Sequence, residues 1–294
     1  MMKKFKKIYV EIINRCNLCC TFCPRSNRPA RTMPISFFTG ILQKIKKYTD
    51  YLYFHVMGEP LMHPDIAALL DVSYEYGFKI NITTNGTLIK RLGPVIAKKT
   101  ALRQINISLH CFEENDFGGP EDNYIDDVIA FVKNMQGEKG PIVCLRLWNL
   151  PEKGGLADNG RILQRIKQEF NCTTQLADCL KMNDGVTIAD NVFLNCAARF
   201  DWPGFDKQDR GTVGFCHGLR DQLAILADGT VVPCCLDAQG GIALGNIGHQ
   251  ALSDILKGAR AKALYDGFSK RTVVEELCRK CGYRARFDLI GKSR

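Results

Sequence analysis

The sequence predicts an α/β protein: an open, partial (β/α)6 barrel over residues 1–200, then a small hairpin-plus-helix unit over residues 201–294. Three observations carry that prediction. Strand-like and helix-like segments alternate at roughly 25-residue intervals, the pattern of right-handed parallel βαβ units. Five or six such units fit before the pattern stops, fewer than the eight that close a barrel. Around Phe193–Asp209 the texture then changes to a linker, followed by a hairpin, short helices and spaced cysteines. A chain of 294 residues has room for one large core and an appendage. With 46% hydrophobic and 24% charged residues it is not a disordered chain.

The apolar run Ile8–Ile13 is the first strand, and a cysteine-rich loop follows it. Ser36 is expected to cap a helix reaching Tyr48, with Phe37, Ile41, Leu42 and Ile45 at helical spacing. Tyr51–Met57 reads as the second strand and Asp65–Tyr76 as the second helix, closed by Gly77. Lys79–Thr83 is the third strand, Leu88–Lys98 a helix, Gln104–His110 the fourth strand and Tyr124–Met135 its crossover helix. The stretch Gly118–Asp122 before that helix is turn chemistry. Pro141 opens a fifth strand, Ile142–Leu147, and Arg161–Phe170 is a helix leading to a sixth strand whose position the pattern does not fix. Beyond the linker, Gln222–Pro233 is a hairpin with Asp228-Gly229 at its turn. Helices near Ala251–Lys257 and Ala259–Phe268 and the segment Leu277–Cys281 complete the chain.

The formal net charge of +9 is densest in Met1–Lys7 and around Arg279, Lys280, Arg284 and Arg286. No aromatic-interleaved RNA motif or helix-turn-helix accompanies it, so it reads as solvated surface rather than a nucleic-acid interface. The N-terminal lysines precede no long apolar stretch, so no secretory signal is expected, and no run of about 18 apolar residues is present to span a membrane. Fourteen cysteines without an export signal read as metal ligands and reduced core thiols, and the expected compartment is a reducing cytoplasm.

Chemistry concentrates in Cys16-Asn-Leu-Cys-Cys-Thr-Phe-Cys23. Parsed as Cys16-x3-Cys20-x2-Cys23, it places three thiolates in one loop and suits a four-iron cluster with one iron left open. Parsed as Cys16-x2-Cys19 plus Cys20-x2-Cys23, it suits zinc. Function in parallel α/β folds collects at the C-terminal ends of the strands. The cysteine loop occupies that end of strand one, Gly58-Glu59-Pro60 of strand two, Asn85-Gly86 of strand three, Ser108 and His110 of strand four, and Arg146 of strand five. His110 is a candidate substrate contact or acid/base, whereas His55 and His63 read as structural. Cys111, Cys144, Cys172 and Cys179 read as packed thiols, Cys19 as a bystander, and Cys196 as a linker residue with a possible role.

With these residues in place, the chain resembles the radical S-adenosylmethionine (SAM) enzymes, whose fold is a partial TIM-like barrel. The Cys16-x3-Cys20-x2-Cys23 loop with Phe22 before the last cysteine is the signature. The resemblance implies a 4Fe–4S cluster held by those three cysteines, with SAM on its open iron. It further implies that Gly58, Glu59 and Pro60 hold the methionyl amine, Ser108 the ribose and Arg146 the carboxylate, with Phe22 near the adenine and Asn85 on the same rim. Met57 stands where many members have another glycine. Reductive cleavage of SAM would give a 5′-deoxyadenosyl radical that abstracts a substrate hydrogen.

The C-terminal unit resembles the SPASM domain in its shortened, twitch-like form, carried by Cys216, Gly229-x4-Cys234 and Cys278-x2-Cys281. No cysteine follows Cys281, so one auxiliary 4Fe–4S cluster on Cys216, Cys234, Cys278 and Cys281 is expected. Cys235 competes with Cys234, because adjacent strand residues face opposite sides, and a zinc ribbon stays open for the whole set. Full ligation by protein implies electron transfer, hence an oxidation. A peptide substrate is expected, with a sugar-like alcohol as alternative; the lack of a peptide-recognition extension before the barrel weighs against the peptide. A flavodoxin or ferredoxin is the implied electron donor. The rival from another class is a non-catalytic zinc-binding interaction module, which leaves Glu59, Ser108 and Arg146 unexplained.

Overall fold

A computed structural model describes residues 5–111, 115, 121–137, 140–150, 159–172, 185–284 and 286–287. Cys179 and the first three residues of the Gly118–Asp122 turn lie outside them. Six parallel strands form the barrel wall: β1 (Lys7–Val10), β2 (Tyr51–Tyr53), β3 (Lys79–Thr84), β4 (Leu102–Ser108), β5 (Ile142–Leu150) and β7 (Val192–Ala198). In sequence β6 (Val186–Ala189) comes between β5 and β7, but in the sheet it pairs antiparallel with the outer side of β7 and forms one edge. The helices α1 (Ile35–Ile45), α2 (Ile66–Glu75), α3 (Ile89–Ile96), α4 (Glu121–Met135) and α5 (Gly160–Glu169) occupy the connections. The predicted partial (β/α)6 barrel is therefore present.

Strands β1 to β5 are largely buried on both faces, whereas Thr187 of β6 and Phe193 of β7 are exposed, and the two faces of the wall differ in chemistry. Ile8, Val10, Ile80, Ile82, Ile105, Ile107, Val143 and Leu145 are fully buried. With Phe38, Ile41, Leu42 and Leu69 of α1 and α2 they form one apolar core. The alternate residues turn inward and are polar, and they satisfy one another as buried polar groups must. Asn81 Nδ2 donates to Leu52 O (3.2 Å), Gln104 Nε2 to Asn106 Oδ1 (2.8 Å) and Asn106 Nδ2 to Ile82 O (3.0 Å). A polar interior with an apolar jacket leaves room for a ligand inside.

Four local expectations need correction. Helix α1 starts from Pro34, whose fixed φ of −63° and absent N–H suit a helix start, so Ser36 sits inside the first turn and makes no cap. Strand β2 ends at Tyr53 instead of Met57, because the chain then crosses the barrel mouth to Glu11, whose Oε1 accepts from Met57 N (3.2 Å). His110 lies in a short 3₁₀ turn, Leu109–Cys111, beyond β4. Phe193–Cys196 is no linker: it pairs in parallel with Cys144–Leu147 as the missing sixth strand, and Cys196 is buried at 3% exposure.

The C-terminal hairpin is β8 (Gln222–Ile225) and β9 (Thr230–Val232), with β10 (Gly245–Asn246) pairing on β9. Gly229 at its turn has φ +89°. The hairpin does not stand apart, since β8 pairs in parallel with β1, from Lys7 opposite Gln222 to Val10 opposite Ile225. The ten strands make one sheet ordered β10-β9-β8-β1-β2-β3-β4-β5-β7-β6. Buried Glu11 ties the seam: Arg28 Nη2 donates to both its oxygens (2.6 and 2.7 Å) and Ala227 N to Oε2 (3.0 Å). Helices α6 (Leu252–Lys257), α7 (Ala259–Ser269) and α8 (Glu276–Arg279) pack behind it.

Candidate active site: one cavity between two groups of cysteines

A single cavity of about 840 Å³ is lined by Cys16, Cys20, Cys23 and Glu59 and also by Cys216, Cys234, Cys278 and Cys281. In the N-terminal loop the three signature thiols sense one another. Partial desolvation, then the nearby Glu59, Cys20 and Cys23, push the Cys16 thiol up to about 11 against one opposing hydrogen bond from Leu18 N–H. Burial and Cys20 likewise raise Cys23. Cys19 contributes to neither effect and is exposed.

Side-chain amides hold the loop. Asn85 Nδ2 donates to Asn17 Oδ1 (2.9 Å) and points at Cys16 Sγ (3.7 Å), while Asn17 Nδ2 donates to Thr87 Oγ1 (2.8 Å). Asn115 Nδ2 donates to Cys20 Sγ (3.2 Å), and its Oδ1 accepts from Cys19 N (3.0 Å). Asn85, expected on the cofactor rim, is thus occupied in positioning the loop. Sequence reading missed Asn115, which no motif marks. It also took Cys111 for a packed thiol only. Cys111 is buried, but a hydrogen bond with Cys20, together with that burial, raises its thiol.

Gly58 has φ +81°, and a Cβ there would lie 2.5 Å from Ile13 O and 2.7 Å from Arg15 O. Only glycine lets the second strand's end press onto the chain entering the cysteine loop, and Glu59 N seals the approach by donating to Arg15 O (2.8 Å). The Glu59 carboxylate is 2% exposed. It accepts from Leu61 N (3.0 Å), Thr84 Oγ1 (2.7 Å) and Asn85 N (2.7 Å). Burial nevertheless raises its pKa from 4.5 to about 7. Among the described residues it has no ion-pair partner. A buried carboxylate without a cation is what an ammonium-bearing ligand would complete.

On the opposite side, Ser108 and Arg146 are register partners and both line the cavity. Arg146 Nε is buried without a hydrogen-bond partner. Phe22 lies between the His110 ring (5.1 Å between centroids) and the Arg199 guanidinium (5.4 Å). His110 is pinned to β5: its Nδ1 lies 3.1 Å from Arg146 O and 3.3 Å from Trp148 N. That arrangement makes it a support for Phe22.

The C-terminal set is closed on itself. Burial, then Cys235, Cys216, Cys278 and Cys281, drive the Cys234 thiol well above its ordinary value. Cys278 responds to Cys216 and Cys281 in the same way. Cys235 turns elsewhere, accepting a hydrogen bond from the Tyr9 hydroxyl and packing against the cluster of Tyr9, Val56 and Met57. Arg284, 2% exposed, runs beneath the set and donates to Cys278 O (3.1 Å) and Val213 O (3.1 Å). Its positive charge offsets the thiolates that a cluster requires. Sequence reading counted Arg284 as surface charge, and its burial corrects that.

Among the described residues no three Cys, His, Asp or Glu side chains converge on a point one metal ion could occupy. No helix among the described residues is long and apolar enough to cross a membrane.

Comparison with known proteins agrees with this geometry. Residues 10–153 match the Radical SAM superfamily and residues 216–282 match the SPASM iron–sulfur cluster-binding domain. A tungsten-containing aldehyde ferredoxin oxidoreductase cofactor-modifying protein of Pyrococcus furiosus is 34% identical over 29% of this chain and 25% of its own length. The chain thus spans about a quarter of that relative. The S-adenosyl-L-methionine-dependent 2-deoxy-scyllo-inosamine dehydrogenase of Niallia circulans is 21% identical over 96% of this chain and 94% of its own. The crystal structure of Streptococcus suis SuiB bound to precursor peptide SuiA superposes with a TM-score of 0.59 at 18% identity, over 96% of this chain and 70% of SuiB. Radical SAM members use a 4Fe–4S cluster with SAM, and SPASM domains carry auxiliary iron–sulfur clusters. The chain belongs to the radical SAM superfamily, as an enzyme with a C-terminal SPASM domain.

Proposed function

We propose that this protein is a radical SAM oxidoreductase that removes a hydrogen atom from a compact polar substrate held inside the barrel. Its auxiliary cluster would then take up the remaining electron. The observation that carries this reading is the single cavity onto which both cysteine sets open. When bound, the N-terminal cluster and SAM supply the radical chemistry, as cofactors do for steps beyond the reach of side chains.

The chain's own residues bind and orient. Cys16, Cys20 and Cys23 would hold the first 4Fe–4S cluster, with Asn85 and Asn115 fixing the loop. Glu59 would accept the methionyl ammonium, with Gly58 and Pro60 shaping the approach. Ser108 would face the ribose and Phe22 the adenine, its ring supported by His110. Cys216, Cys234, Cys278 and Cys281 would hold the second cluster. A flavodoxin- or ferredoxin-type protein would deliver the electron that starts each turnover. The functional division falls near residue 200.

For the substrate, the full-length likeness to a dehydrogenase of a small aminocyclitol supports a small molecule. A peptide is the second reading, supported by the fold shared with peptide-bound SuiB. The test is anaerobic reconstitution with iron and sulfide, then reduction in the presence of SAM. About eight irons per chain, as two four-iron clusters require, and formation of 5′-deoxyadenosine are expected. A colourless protein that binds only zinc and leaves SAM intact defeats the reading.

A further inference from the structure

The cavity wall built from β1, β2 and β5 carries positive charge that no acidic side chain among the described residues pairs with. Lys7 and Tyr9 share one face of β1, and its neighbour β2 presents Tyr53 with His55 just beyond it. Lys7 Nζ lies 5.7 Å from the Tyr9 ring centre and 5.6 Å from that of Tyr53. His55 stands edge-on to both rings, at 5.1 Å and 85° and at 6.2 Å and 68°. From β5, the Arg146 guanidinium lies 4.7 Å over Trp148, whose Nε1 donates to Asn195 Oδ1 (2.8 Å). Stacking on an anchored indole fixes the guanidinium before any ligand arrives.

Neither Lys7 nor Arg146 forms an ion pair among the described residues. Arg146 Nε and His55 Nδ1 are both buried without a hydrogen-bond partner, although part of the His55 ring surfaces on the cavity. Burial, then the positive charges of Arg146 and Lys7, hold His55 down to about 3, so the ring is neutral, and all three side chains line the one cavity. The acids that line the cavity are committed elsewhere. Glu59 takes three hydrogen bonds on the cysteine-loop side, Asp221 pairs with Lys6 (3.1 Å) and His217 (3.0 Å), and Asp237 accepts from Gly241 N and Ile242 N (2.8 Å each).

Two fixed cations and an unpaired imidazole nitrogen in a partly desolvated wall are costly unless an anion joins them. A planar guanidinium fork beside a compact ammonium suits the tetrahedral or planar oxygens of an oxyanion. We propose that this wall binds an oxyanion of the substrate, a carboxylate or a phosphate group, between Lys7 and Arg146. The substrate of the enzyme is therefore an acid or a phosphoester. This inference rests on the oxidoreductase reading above and competes with assigning Arg146 to the carboxylate of SAM.

The test uses the anaerobic holoenzyme carrying both clusters and SAM. Inorganic phosphate, and in a second series acetate, is titrated calorimetrically. One saturable site per chain is expected, and the tighter of the two anions identifies the group. Lys7→Gln and Arg146→Gln should each weaken that site about tenfold or more, the value of a charged hydrogen bond. Lys7→Arg should retain most of the affinity, and Lys47→Gln, which removes the same charge from the outer surface, should leave it within about twofold. Absence of saturable binding in the wild type, or indifference to both cavity substitutions, overturns the proposal. So does an equal loss of SAM affinity in Lys7→Gln and Arg146→Gln, which would assign the anion to the cofactor. Failure of the wild-type holoenzyme to form 5′-deoxyadenosine strikes the oxidoreductase reading instead.

Discussion

The two cysteine sets use the same side chain to opposite ends. The N-terminal three sit on a loop, with Cys16 exposed and Cys23 half-buried, and side chains from other segments hold them there. The C-terminal four come from three separate stretches of chain, and beyond burial the Cys234 thiol is raised by Cys216, Cys278 and Cys281 together. As cluster ligands, three thiolates at a cavity rim would leave an iron for an outside molecule, whereas four would leave none. The first set is arranged for exchange, the second for enclosure.

The sharpest break of this contrast comes from removing one ligand on each side. Cys16→Ala should abolish 5′-deoxyadenosine formation, down to the uncatalysed background, and lower iron by about four per chain. Cys278→Ala should lower iron by the same amount and keep SAM cleavage, but lose substrate oxidation and lower the thermal midpoint, because a buried cluster contributes folding energy. Iron analysis, 5′-deoxyadenosine assay and thermal melts check this. If both variants lose SAM cleavage equally, the two sets do not have separate tasks.

A backbone comparison follows. Gly58→Ala places a Cβ against two carbonyl oxygens at a positive φ, and backbone cannot yield as a side chain can. It should cost about 3 kcal/mol or more in denaturant unfolding and disorder the cysteine loop. Gly229→Ala, also at positive φ, meets only the ends of the Asn246 and Phe37 side chains at 2.8 Å, so about 1–2 kcal/mol is expected. The reverse order would show that the hairpin turn, rather than the loop, is the more tightly determined.

Much of this was legible beforehand, because alternation of apolar strands and amphipathic helices is a local signal, as are cysteine spacings. Gly77, at φ +74° after α2, stood where a helix C-terminus wants glycine. What escaped reading is non-local. The pairing of β8 with β1 joins residues over two hundred positions apart, and neither strand's composition announces it. Strand β7 hid because Asn195 interrupts its apolar run and the polar, Pro- and Gly-bearing stretch just beyond it reads as a linker. The unanswered charges of Lys7 and Arg146 and the support from Asn115 depend on which side chains meet inside the barrel. Ser36 misled because a proline two residues earlier overrides a capping hydroxyl.

Glu59 tests the open side by pH. Its folded-state pKa lies above the ordinary 4.5, at about 7, so the folded protein without SAM holds the proton more tightly than the unfolded chain. Its contribution is present below pH 4.5 and is lost as pH rises to about 7, by a few kcal/mol at most. Glu59→Gln should flatten that slope and weaken SAM binding about tenfold to a hundredfold. Denaturation at several pH values and SAM titration measure both. An unchanged SAM affinity would remove Glu59 from the cofactor side.

The smallest effect is expected on the closed side, at Cys235. Cys234 and Cys235 are neighbours in sequence and both line the cavity, yet only Cys234 is influenced by all of Cys216, Cys278 and Cys281. Cys235 takes the Tyr9 hydroxyl's hydrogen bond and packs on Val56 and Met57, the same apolar patch that Cys23 touches. A serine can accept that hydrogen bond in place of the thiol, so Cys235→Ser should leave iron content and the auxiliary cluster's spectrum as in the wild type. Cys234→Ser should bleach that spectrum, since a hydroxyl is a poor ligand for iron in a sulfur site. If Cys235→Ser loses the cluster instead, the enclosed set is Cys216, Cys235, Cys278 and Cys281. The cluster then faces Tyr9 and the interior of the barrel, on the side of the cavity where Cys23 packs against the same apolar patch.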